Sequence, residues 1–166
     1  MIRKLCQLLF CSMYGRKETS ATRRKFWTSF GQYMKPIPGA SGETMNWLNY
    51  KTGIKDIYFR MNANTSFASI AIECCQKDSV IRQYYFEQLR LYRSILEEAM
   101  GESWTWQQQY RDENDNLISR VYQQLNGVSI FHEPDWPEII SFLKPRLISL
   151  DDFWFQVKDF FETKSF

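Results

Sequence analysis

Between Asn46 and Lys77 the chain carries three short strand-like segments ending near one carboxylate, Glu73, and this stretch commits the middle of the molecule to a sheet. The last segment, Phe67 to Cys74, is apolar or small at every position before Glu73. That is the pattern of a strand covered on both faces, so it is the expected central strand. Lys55 to Asn62 alternates instead, with Ile57, Phe59 and Met61 on one side and Asp56, Tyr58 and Arg60 on the other. Met45 to Tyr50 reads as the first strand, and Lys51-Thr52-Gly53 as the turn after it.

Helical periodicity flanks this sheet. A helix capped by Thr19 or Ser20 is expected to run to Met34, with Phe26, Trp27, Phe30, Tyr33 and Met34 forming its apolar stripe. Pro36, Pro38, Gly39 and Gly42 then mark a loop. Ser79 is placed to cap a long helix to Met100, with Ile81, Tyr84, Tyr85, Leu89, Tyr92, Ile95 and Leu96 on one face and Gly101 as its stop. Trp104 and Trp106 share a strand face, Asp112 to Asn116 is a polar turn, and Leu117 to Leu125 returns as the second half of a hairpin. Asp135 and Glu138 have capping-box spacing around Pro137, and Pro145 is expected to bend or split the helix that follows. A last helix carries Phe153, Trp154, Val157, Phe160 and Phe161. The expected fold is α+β, a single mostly antiparallel sheet of about five strands flanked by helices, in the order α-β-β-β-α-β-β-α-α. Residues 14–166 read as one domain, and 1–13 as an extension or disordered N-terminus, with Met13 an alternative start.

The formal charge is only +2, but Met1 to Arg60 holds eleven lysines and arginines against three acids, and the remainder ten against sixteen. Such asymmetry points to a basic face able to meet an anion, unless folding mixes the two halves on one surface. Cys6, Cys11, Cys74 and Cys75 have neither metal-ligand nor secreted-disulfide spacing, so reduced thiols in a cytoplasmic protein are expected. The apolar run from Leu5 to Phe10 is too short to span a bilayer, and no membrane partner is expected.

Several phrases resemble the bacterial family called domain of unknown function 4268, in its short stand-alone form. They include Arg24-Lys-Phe-Trp-Thr28, Asn46-Trp-Leu-Asn-Tyr-Lys-Thr-Gly53, Lys55-Asp-Ile-Tyr-Phe-Arg-Met61, Gly101-Glu-Ser-Trp-Thr-Trp106 and Ser141-Phe-Leu-Lys-Pro-Arg146. The likeness runs from about Tyr14 to Glu162. It implies a prokaryotic cytoplasmic protein and, since in longer relatives a domain of this kind looks like the partner of a nuclease-like domain, a nucleic-acid setting by association. It supplies no catalytic residues.

Three functions compete. In the first, nucleic acid meets Arg23, Arg24, Lys25, Lys51, Lys55 and Arg60, interleaved with Trp47, Tyr50 and Tyr58, because cations neutralise phosphates and aromatic faces stack bases. Arg23 falls on the apolar stripe of its helix, so it either points into a cleft or lays its stem over apolar surface. In the second, Trp104, Trp106, Phe131 and the aromatic last helix form a protein-partner or homodimer surface, or else pack sheet against helices. In the third, an element order that resembles the restriction-endonuclease-like fold makes Asp56 and Glu73 ligands of Mg²⁺. The lysine such a site needs stands at Lys77, four residues or about 13 Å beyond Glu73 if the strand continues, so a turn after Glu73 or Arg82 from the next helix is required. The bland alternative pairs Asp56 with Arg60 or a lysine. No other metal or cofactor is expected: His132 is the only histidine, and Asp112-Glu-Asn-Asp-Asn116 lacks the Gly and the final Glu of a calcium loop. A non-catalytic binding module, with nucleic acid its ligand, is the leading expectation.

Overall fold

The computed structural model describes residues 2–161, with side chains at 15 and at 17–161. The chain forms α1 (Ile2–Met34), β1 (Ile57–Ala63), β2 (Phe67–Cys74), α2 (Ser79–Leu91), α3 (Arg93–Met100), β3 (Thr105–Arg111), β4 (Leu117–Asn126) and α4 (Trp136–Val157). The strands make one sheet in the order β1-β2-β4-β3, antiparallel throughout. The architecture is α+β, as the patterning predicts, and β2 is central.

Register decides how the layers meet. Ile57, Phe59 and Ala63 lie opposite Cys74, Ile72 and Ala68, and Ile72 in turn lies opposite Val121. These residues point one way and join a single apolar cluster with Phe26, Phe30 and Met34 of α1, Phe86 and Leu89 of α2, Leu96 of α3 and Leu143, Phe153 and Trp154 of α4. All four helices therefore cover the same face of the sheet. Tyr58, Arg60, Ala71, Glu73, Arg120 and Tyr122 point the other way, and none of them belongs to that cluster.

The sheet has four strands rather than five, because Met45 to Tyr50 is not a strand. Trp47–Asn49 forms a 3₁₀ turn, with the Asn46 side chain accepting from the Asn49 amide. On a strand, Trp47 and Tyr50 would face opposite sides; the turn lets both face the core, their rings 6.4 Å apart. Trp47 donates to the Ile37 carbonyl at 2.9 Å, and Tyr50 donates to the buried Asp151 carboxylate at 2.6 Å, which also accepts from the Ala40 amide. Those bonds pin the loop to α4. With two strands instead of three before α2, the order no longer matches the restriction-endonuclease-like core.

Helix boundaries depart from expectation for local reasons. α1 starts at Ile2, and Thr19, expected as a cap, instead donates to the carbonyl of Gly15 inside the helix. Tyr33 is exposed rather than part of the stripe. Asp78, not Ser79, caps α2, accepting from the Val80 and Ile81 amides at 2.8 and 3.1 Å. The long helix breaks at Tyr92, whose backbone leaves the helical region (φ −101°, ψ 15°) while its ring packs 5.7 Å from Phe161. Asp135 makes no capping bond, since its carboxylate is spent on the Ser129 amide and His132. α4 passes through Pro145 and absorbs the expected last helix. The carbonyl that Pro145 leaves without a partner belongs to exposed Ser141, where water can reach it.

Phe86 is fully buried and Leu91 is largely exposed on the same helix. Phe86→Ala is expected to lower unfolding free energy by about 3–5 kcal/mol, and Leu91→Ala to change it by less than about 0.5 kcal/mol. Urea denaturation followed by circular dichroism checks both, and equal effects would contradict the one-sided core.

Candidate functional site

The face of the sheet left without a helix carries an alternation of cations and rings. One cross-strand row reads Tyr58, Glu73, Arg120, Gln107, and the next reads Arg60, Ala71, Tyr122, Thr105. The Arg120 guanidinium lies 3.4 Å from the ring centre of Tyr110 and 4.1 Å from that of Tyr122, and its Nε donates to Gln107 Oε1 at 2.7 Å. Arg60 lies 4.3 Å from the Tyr58 ring centre. Attraction to the aromatic rings holds each guanidinium in place while leaving N–H groups for a ligand. Small Ser69 and Ala71 form the floor between these groups on β2.

A register shift between Gln107 and Tyr110 bends the β3–β4 hairpin, and its tip leans back over this face until Asn62 Nδ2 meets Glu113 Oε1 at 3.5 Å. The tip is held together by its own bonding. Asp112 accepts from the amides of Asn114 and Asn116 at 2.9 and 2.8 Å, and Arg111 pairs with Asp115 at 3.2 Å. The Asn116 side-chain amide, followed by the backbone amides of Asn116 and Asn114, holds the Asp112 carboxyl below the usual range. The overhang leaves a cleft of about 880 Å³ toward the start of α2 and a smaller one of about 270 Å³ toward the middle of the sheet.

Glu73 stands at the junction of both clefts, its side chain 18% exposed and 3.8 Å from Arg60. Burial raises its carboxyl above the ordinary value; Arg60 and Arg120 oppose the shift, Asp112 adds to it, and the Cys75 thiol donates to it. Burial, then Glu73, pushes the Cys75 thiol up to about 12. A thiol so far above neutral pH is a poor nucleophile.

The residues singled out by sequence separate into three groups. Asp56, Glu73 and Lys77 do line one cleft, since β2 ends at Cys74 and the chain turns there. Lys51, Lys55, Tyr58 and Arg60 share a groove of about 330 Å³ beside β1. Arg23 and Lys25 engage elsewhere: Arg23 donates to the Ala63 carbonyl at 3.3 Å and lies over Phe131, while Lys25 pairs with Glu133 at 2.6 Å beside Trp136. Arg24 is exposed. Trp47 is 3% exposed and offers no stacking face, which corrects its place among the binding residues. Trp104 and Trp106 pack inward, Trp106 5.7 Å from Phe86, so they are core rather than a partner surface. Tyr110, Arg120 and Tyr122 were missed, while Arg82 entered only as a stand-in for the nuclease lysine; the spacing of Arg120, Tyr122 and Gln124 along one side of β4 was the signal for two of them.

The arrangement fits Mg²⁺ poorly. The Asp56 carboxylate accepts from Tyr58 at 3.4 Å, Glu73 faces Arg60, and among the described residues no three His, Cys, Asp or Glu side chains converge on a metal position. Asp56 also has φ of 60°, and its carbonyl accepts from the Cys75 amide at 2.8 Å, so its backbone closes the sheet end.

A model of the family described as Domain of unknown function (DUF4268) matches residues 22–158. The chain belongs to this family. No curated protein and no solved structure matches it significantly. Among the described residues no helix is long and apolar enough to cross a membrane.

A carboxyl raised in the folded state keeps a proton that the unfolded chain has released, so its contribution to stability is present below the unfolded value and is lost as pH rises through the folded one. Relative to Glu73→Gln, the wild type should therefore lose stability from the ordinary value of 4.5 upward, by at most about 1.4 kcal/mol per pH unit. Urea midpoints of both proteins between pH 4 and 8 test this, and a difference that stays flat with pH would contradict it.

Proposed function

We propose that the protein is a non-catalytic binding module that holds single-stranded nucleic acid on the uncovered face of its sheet. The reading is carried by one observation: the guanidinium groups of Arg60 and Arg120 lie over the rings of Tyr58, Tyr110 and Tyr122 on a face that no helix covers among the described residues. Sequence-tolerant binding of single strands needs that combination, with rings and guanidinium planes stacking bases while cations follow the backbone. The groove with exposed Lys51 and Lys55 borders this face through Tyr58 and Arg60, and offers the phosphates a path away from the acidic hairpin tip.

The path also sets the expected salt response. Each phosphate neutralised on a single strand contributes about −0.7 to the slope of log affinity against log salt, so Lys51→Ala with Lys55→Ala should flatten that slope by roughly 1.4. Tyr122→Ala should cost about 1–3 kcal/mol of binding, the range for losing one stacked base. Fluorescence anisotropy with short unstructured DNA and RNA, at several salt concentrations, measures both. Absence of binding at low salt, or affinity indifferent to all three substitutions, would overturn the proposal.

A further inference from the structure

The larger cleft, between the hairpin tip and the start of α2, holds a positive charge that the protein itself leaves unpaired. Arg82, on the first turn of α2, is only 6% exposed and lines this cleft. Its Nη1 donates to the Gln76 carbonyl at 2.8 Å, and among the described residues no carboxylate lies within ion-pairing distance of it. A buried guanidinium without a counter-ion is costly unless something supplies the anion. Exposed Lys77 and Ser79 line the same cleft. The amides of Val80 and Ile81 are already taken by Asp78, so side chains rather than the helix start would hold the anion.

A second observation lies next to it. Gln76 is 5% exposed, donates through Nε2 to the Lys55 carbonyl at 3.1 Å, and leaves Oε1 buried with no donor. It lines a pocket of about 490 Å³ that shares Asp56, Cys75 and Lys77 with the cleft. The joined space brings Lys77 and Arg82 together with the oxygen acceptors of Asp56 and Gln76, while Glu73, Asp112 and Asp115 also line the cleft. A ligand that satisfies both carries an anionic group and N–H or O–H donors. A carboxylate brings one negative charge, whereas a phosphomonoester brings about 1.5–2 near neutral pH, which matches Lys77 and Arg82 together.

We infer that this cleft is a site for a phosphomonoester of a nucleotide, its phosphate seated between Lys77 and Arg82 and its sugar or base donors directed to Asp56 and Gln76. The anion site stands on the unpaired Arg82; the choice of a nucleotide rests on the nucleic-acid reading. A free mononucleotide and the phosphorylated end of a strand share this chemistry, and the experiment separates them.

Calorimetry at low salt compares adenosine, adenosine monophosphate, inorganic phosphate, and one oligonucleotide with either a 5′-phosphate or a 5′-hydroxyl. The monophosphate is expected to bind at least about tenfold more tightly than the nucleoside, and Lys77→Ala to remove about that factor, the size of one charge-assisted hydrogen bond. Lys77 is exposed, so the variant should fold, and a thermal melt confirms it. Equal or absent binding of monophosphate and nucleoside, or affinity unchanged by Lys77→Ala, overturns the inference. Inorganic phosphate binding as tightly as the nucleotide removes the nucleotide assignment. Preference for the phosphorylated oligonucleotide over the monophosphate identifies a strand end, and the reverse a free nucleotide. An oligonucleotide that binds through Tyr122 regardless of its 5′ group, with the monophosphate bound no more tightly than the nucleoside, overturns this inference alone. Phosphate-dependent binding of the monophosphate together with oligonucleotide affinity that Tyr122→Ala leaves unchanged overturns the sheet-face proposal alone.

Discussion

Everything in this molecule depends on the parity of β2. Ala68, Ile70, Ile72 and Cys74 face the helices, while Ser69, Ala71 and Glu73 face away, and the flanking strands follow in register. A slip of one residue would put Glu73 into the apolar cluster and Ile72 into solvent, so the cost of burying a carboxylate helps to specify the pairing. The same parity makes the second face possible. Once four helices have taken one side, the other is left to side chains of its own strands, and they cover it by stacking on each other.

An open sheet also has two edges, and both are managed. On β1, Thr52 donates to the Ile57 carbonyl at 2.8 Å and Arg23 to the Ala63 carbonyl at 3.3 Å, so side chains occupy edge-facing groups at each end of the strand. On β3, the irregular pairing between Gln107 and Tyr110 breaks a regular edge. Arg23 is the residue whose place on an apolar stripe looked anomalous. Its stem crosses apolar surface and its head finishes on a carbonyl and on Phe131, so it secures α1 against the sheet edge rather than opening into a cleft.

Where period and composition agreed, the fold was legible in the sequence: the alternation of β1, the apolar run of β2, the hairpin around Asp112, and the stripe from Ile81 to Leu96. It failed where a tertiary partner overrode the local pattern. Met45 to Tyr50 has strand-like residues, yet two ring-polar groups found a carbonyl and a carboxylate that only the 3₁₀ turn could reach. Asp135 has capping-box spacing, but His132 and the Ser129 amide compete for its oxygens. The candidate site was half legible. Asp56, Glu73 and Lys77 do meet, whereas the stacked arginine of β4 lies forty-seven residues beyond Glu73 and is brought to it by a crossover that no local pattern encodes.

Charge shows the same limit from another side. The basic opening third suggested one patch drawn from its own residues, but Lys25 is matched by Glu133 and Arg60 by Glu73, both from the acidic remainder. Arg82, Lys77 and Arg120, which make no ion pair among the described residues, come from that remainder. Net charge along a sequence averages over neighbours in the chain, whereas a ligand meets neighbours in space, and a sheet with crossed strand order separates the two. Local compensation decides what a cation can do: a lysine closely paired with a carboxylate, as Lys25 is with Glu133, is already answered, an arginine stacked on tyrosines is held in place with N–H groups left over, and one buried without an acid calls for an anion from outside.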